Sequence, residues 1–71
     1  NPNTGRFNLV LPSDMHQASI NVFDASGKVC WSGTQRNTPS QEIQLPDAAA
    51  GRYAVVVRAG ERVRTLSVVV Q

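Results

Sequence analysis

Two β-branched runs near the end of the chain restrict its fold more than any other feature. Residues 53–58 read Tyr-Ala-Val-Val-Val-Arg and residues 62–70 read Arg-Val-Arg-Thr-Leu-Ser-Val-Val-Val. Between them lies Ala59-Gly60-Glu61. A branched Cβ suits a pleated, half-buried surface. Glycine in a short connection supplies the positive φ that a tight hairpin needs. The pattern predicts a long C-terminal hairpin with a three-residue connection. Seven of the ten valines fall in it, so it should be the centre of the scaffold.

The earlier residues read as strands joined by turns. Residues 1–5 are turn chemistry, Asn-Pro-Asn-Thr-Gly. Residues 6–11 alternate, with Phe7, Leu9 and Leu11 on one face, and Pro12 ends that strand. Residues 13–17 read as a polar loop. Residues 18–23 form a second strand, with Ala18, Ile20 and Val22 aligned. Asp24-Ala25-Ser26-Gly27 turns the chain, with the carboxylate capping the turn. Residues 28–32 form a third strand, with Val29 and Trp31 on one face and Cys30 on the other. Residues 33–40 read as a polar loop with at most a short edge strand. Residues 41–45 place Ile43 and Leu45 inward, with Glu42 and Gln44 outward. Residues 46–51 are a crossover too short for more than one helical turn.

In the hairpin, Tyr53, Val55 and Val57 point inward, and Arg52 and Arg58 outward. Leu66, Val68 and Val70 share a face, but Arg62 and Arg64 have the same parity. The inward pattern must therefore fail near the hairpin turn or be shifted by a bulge. Short strands about ten residues apart, with turn signals between them, indicate an all-β sandwich or barrel. The expectation is an antiparallel β-sandwich of about six or seven strands.

Seventy-one residues make one domain, residues 1–71. The absence of an initiator Met leads to the expectation of a module cut from a longer protein. One cysteine permits no internal disulfide, and one histidine with five scattered acids gives no structural zinc spacing. The core must be aliphatic. The formal net charge is +2, with Arg52, Arg58, Arg62 and Arg64 all in the last twenty residues. Arginines on exposed strands protect edges against pairing, and this reading outweighs nucleic-acid binding. No apolar run reaches the length of a transmembrane helix.

Catalytic chemistry is absent from the pattern. A strand cysteine such as Cys30 is a small packing residue before it is a nucleophile, and nothing local brings His16 to it. Ser13-Asp14-Met15-His16 holds triad residue types, but adjacency supplies neither convergence nor an oxyanion hole. Asp24, Glu42, Asp47 and Glu61 are isolated from one another. The glycines have turn explanations. Phe7, Trp31 and Tyr53 share parity with aliphatic neighbours, leaving Phe23 as the exposed aromatic and little basis for a stacking platform. The expectation is a non-enzyme without cofactor, metal or nucleic acid.

Three pieces carry a resemblance. Asn1-Pro2-Asn3-Thr4-Gly5-Arg6-Phe7 fits an Asn-Pro-x-x-Gly-x-Phe opening. Residues 20–29 fit a strand, an Asp24-x-x-Gly27 turn and a second strand. Residues 50–57 fit an x-Gly51-x-Tyr53 strand, and a terminal aliphatic strand follows. In this order, over the whole chain, the sequence resembles the C-terminal sorting domain of the type IX (Por) secretion system of Bacteroidota. The resemblance implies an immunoglobulin-like sandwich at the end of a larger secreted protein. It implies passage through the periplasm and across the outer membrane to the cell surface or medium. The implied partners are outer-membrane components of the secretion machinery and, for many cargoes, a cysteine-protease sortase that removes the domain.

The motif residues are Pro2, Gly5, Phe7, Asp24, Gly27, Gly51 and Tyr53. The segment expected to be read is Arg58, Arg62, Arg64, Leu66, Val68, Val69, Val70 and Gln71. In the family a basic residue commonly stands directly before the final apolar run; here Thr65 and Leu66 hold that region, with Arg64 earlier. Self-association through the C-terminal strand is a further expectation, from its apolar edge. The alternative function is an appended β-sandwich that binds a carbohydrate or protein ligand, for which Phe23 is the one exposed aromatic.

Overall fold

The structure, a computed structural model, describes residues 2, 3, 5–15, 17–36, 40–45 and 49–71. The C-terminal valine runs pair as two nine-residue strands, β6 (Gly51–Ala59) and β7 (Arg62–Val70). The other strands, in chain order, are β1 (Pro2–Asn3), β2 (Arg6–Val10), β3 (Gln17–Phe23), β4 (Val29–Arg36) and β5 (Ser40–Gln44). A single 3-10 turn, Ser13–Met15, follows Pro12. Five strands form a sheet in the order β1-β7-β6-β3-β4, and β2 pairs with β5 in a second sheet. All pairs are antiparallel except β1 with β7.

The inward-facing residues of both sheets form one core. Ile20, Val22, Val55, Val57, Val68 and Val70 from the large sheet meet Leu9 and Ile43 from the small one, with Leu11, Met15 and Leu45 closing the ends. Phe7 and Trp31 pack at its margin. This is the sandwich layering expected from the alternation.

Five local expectations change. The hairpin connection has two residues, not three, because Ala59 pairs with Arg62. Gly60 takes φ 64°, the positive value that two-residue hairpins favour. The expected loop after Ser32 is instead the second half of β4, paired with β3 through Arg36; residues 37–39 of that loop lie outside the described residues. Polar composition hid this strand, since its Ser32 and Thr34 are exposed. A bulge brings Val29 into register with Phe23 while Trp31 pairs with Val22, so Val29 does not follow Trp31 inward and is 48% exposed. The stretch expected as a polar loop after Pro12 contains Met15, which is fully buried. Finally, Pro2–Asn3 is a strand rather than turn chemistry. Half of the 46–51 crossover, residues 46–48, lies outside the described residues.

Candidate functional site: the terminal strand and its surroundings

The end of β7 lies between two of the sequence motifs. Val69 pairs with Pro2 on one side and Arg52 on the other. Val70 pairs with Asn3 and with Gly51. Between β1 and β2 stands buried Gly5, at φ 100°, where the chain leaves the large sheet for the small one. An L side chain would be strained there. The Gly5 carbonyl accepts the amide of Leu45 at 2.7 Å, which seats the corner on the small sheet. The Asn-Pro-x-x-Gly-x-Phe opening is thus a strand switch. Its Pro2 and Asn3 lie beside Val69 and Val70, and Arg6 and half-buried Phe7 join the opposing layer.

The cover over β7 runs out along its length. Val68 and Val70 are buried and Val69 is half-buried, while Gln71 is exposed. Leu66 pairs with Val55 and so shares its face, yet Val55 is fully buried and Leu66 is 39% exposed. Arg64 and Arg62 follow on that same side and are exposed. The parity conflict in the sequence is therefore a true failure of the inward pattern: β6 and β7 keep a continuous register with no bulge. Among the described residues the small sheet has two strands, and on this part of the large sheet Leu66, Arg64 and Arg62 are exposed.

Arg58, Arg62 and Arg64 of the hairpin do not form one patch. Arg58 pairs with Val63 and lies on the outer face of the large sheet, opposite to Arg62 and Arg64. Arg62 makes an ion pair with Asp14 of the 3-10 turn, 2.6 Å from Nη1 to Oδ2, with both side chains substantially exposed. Such a pair is worth at most about 1 kcal/mol. Among the described residues, Arg64 has no carboxylate partner. Asp14 had no assigned role in the sequence, because its pairing is long-range.

The remaining motif residues meet at the end of the sheet that holds Val70. Asp24 Oδ1 accepts hydrogen bonds from the amide and hydroxyl of Ser26 and the amide of Lys28, at 2.9, 2.6 and 3.0 Å. The Ser26 hydroxyl, then the Lys28 amide, hold the Asp24 carboxyl below the usual aspartate range. The amide of Gly27 closes the turn onto the Asp24 carbonyl at 3.0 Å. Across from this turn, the hydroxyl of buried Tyr53 donates to the carbonyl of Ala49 at 2.6 Å. A shallow hollow of about 290 Å³ separates Asp24-Ala25-Ser26 from residues 49–53. A ligand site needs several convergent polar groups. Here the Asp24 carboxylate and the Tyr53 hydroxyl already have partners in the fold.

Cys30 is exposed as a residue, but its thiol donates to the carbonyl of Val22 at 3.4 Å. Burial of the sulfur, reinforced by the charge of Asp24, raises its pKa. A nucleophilic thiol needs the reverse shift. His16 lies outside the described residues. Among those described, no three potential metal ligands cluster, and no helix is long and apolar enough to cross a membrane. Phe23 is half-buried against the outer face rather than fully exposed, where it pairs with Ala54.

In this small β-sandwich, Pro2–Asn3 and Gly51–Tyr53 flank the end of β7, while Asp24–Gly27 forms a turn of its own. The family model described as the secretion system C-terminal sorting domain matches residues 1–71, the whole chain, and the chain belongs to that family of type IX sorting domains. The comparisons with curated proteins and with solved structures return no match. Membership makes the chain a secretion sorting signal, not a member of an enzyme family. Its route is through the periplasm and the outer membrane, in interaction with the secretion system, to the cell surface or beyond.

Proposed function

We propose that this domain is the C-terminal module of a larger exported cargo, and that the machinery reads it at the uncovered part of β7, through Arg64 and Leu66 on one face. One observation carries this reading: β7 leaves the cover of the small sheet between Val68 and Leu66, so an apolar and a cationic side chain project together from a rigid strand. Arg64, free of a carboxylate among the described residues, steers an acidic partner and affects chiefly the rate of association. In cargoes that are released, a sortase then removes the domain.

The test is a fusion of the domain to the end of an exported reporter in a Bacteroidota host. The expected result is surface delivery that depends on the domain, impaired by Arg64→Glu and little changed by Arg58→Glu on the opposite face. Arg62 is left intact because its replacement by Glu would set two carboxylates against each other at Asp14. Equal impairment by Arg58→Glu would remove the reading of a single face. Delivery without the domain would reject the sorting role. Sortase removal predicts a surface reporter lighter by the mass of the domain; an intact fusion at the surface would reject it for that cargo.

A further inference from the structure

The sheet order leaves β7 at the margin of the large sheet except where β1 lies against it. β1 covers only Val69 and Val70 and runs parallel to β7. It contributes two residues, one of them a proline without an amide hydrogen. Among the described residues, positions 62–67 have no strand on that side. Two of the usual protections of an edge are missing from this stretch, which has no proline and no bulge. Its remaining protection is the charge of Arg62 and Arg64, which turns away most strands but not one that carries the counter-charge.

From these features we infer that the edge of β7 is a binding site for an extended acidic segment of a partner protein, which adds parallel to residues 62–70 and displaces β1. β1 itself shows that the edge accepts a strand in this direction. A longer strand running the same way would begin beside Arg62 and meet the row of backbone groups that β1 leaves unpaired. Strand addition of this kind takes its affinity from main-chain hydrogen bonds and its selectivity from alternate side chains. On one face those neighbours are Arg62, Arg64 and exposed Leu66; on the other they are Val63, Thr65, Ser67 and Val69. The complement carries carboxylates beside the arginines and β-branched residues on the other face. Its carboxylate competes with Asp14 for Arg62 and gives Arg64 its counter-charge. A second copy paired in parallel register would set arginine against arginine, which disfavours it as the occupant. The biological source of the segment rests on the sorting reading; the chemistry of the edge does not.

The probe is a labelled nine-residue peptide matched in length to β7, with Glu at its first and third positions, beside Arg62 and Arg64, and Val or Thr elsewhere. The control is the same peptide with Lys in place of Glu. Hydrogen exchange on the full chain should show amides of residues 62–67 slowed by the acidic peptide and not by the basic one. Deleting residues 1–4 should tighten binding at least about threefold, because the competing segment is gone. In the same deletion, amides near Val69 and Val70 should exchange faster while those of residues 53–57 keep their protection, which shows that the fold persists. If the deletion does not fold, Asn3→Pro, which removes the other β1 amide, serves in its place. Arg64→Glu should weaken peptide binding by about tenfold. The inference is overturned by unchanged exchange of residues 62–67, by equal affinity with and without β1, or by dimerisation of the deleted chain that the peptide does not reverse. Peptide binding with failed reporter export would reject the sorting reading alone; export without peptide binding would reject the edge site alone.

Discussion

Tyr53 shows how one residue joins sequence motif to fold. The residue is 7% exposed, and its hydroxyl reaches the carbonyl four residues upstream. Immunoglobulin-like sandwiches fix a strand entry with the same kind of contact. Tyr53→Phe should lower stability by about 1 kcal/mol, the net worth of one hydrogen bond, and Tyr53→Ala by about 3 kcal/mol or more. Both are read from urea midpoints, and a Phe variant with an unchanged midpoint would show that the hydroxyl contributes nothing. Asp24 makes a pH-dependent contribution of defined sign. Hydrogen bonds to its carboxylate lower its pKa in the folded state, so its stabilisation is present above the unfolded value of about 3.9. It is lost as pH falls through the lowered folded value. Asp24→Asn should therefore be less stable than the parent at neutral pH, with the gap narrowing in acid. A gap that stays constant across that range would contradict the capping role.

Among the elements, β4 departs most from its sequence pattern. Serine, threonine and glycine after Trp31 carry no apolar alternation, yet pairing with β3 extends the strand to Arg36. Gly33 is what the packing requires there. A Cβ built at that position would stand 2.6 Å from Cη2 of the Trp31 ring and 3.2 Å from Cζ2 and Cζ3. Gly33→Ala should push the indole off the strand and cost about 1–3 kcal/mol, the usual range for overpacking. Trp31 is the only tryptophan, so a red shift of emission would report the displacement directly. Unchanged emission and stability would mean that the ring has an equally good second position. β1 is the opposite case: its Asn-Pro composition is that of a turn, and only the terminal strand beside it makes it a strand.

At the scale of the whole molecule, two unequal layers decide what is buried and what is presented. The alternation of Leu9/Leu11, Ala18/Ile20/Val22, Ile43/Leu45 and Tyr53/Val55/Val57 determined the sandwich and nearly all of its core, because a period of two fixes which face each side chain takes. The Asp24–Gly27 turn was equally legible, since its hydrogen bonds are local. The environment of the terminal strand was not. That β1 lies beside Val69 and Val70, that Arg62 meets Asp14, and that Leu66 escapes cover while Val68 does not all depend on contacts between distant residues. Parity places Arg62, Arg64, Leu66, Val68 and Val70 on one face; where the opposing layer ends along that face is a property of the packed sheets, and it alone separates the buried residues from the exposed ones.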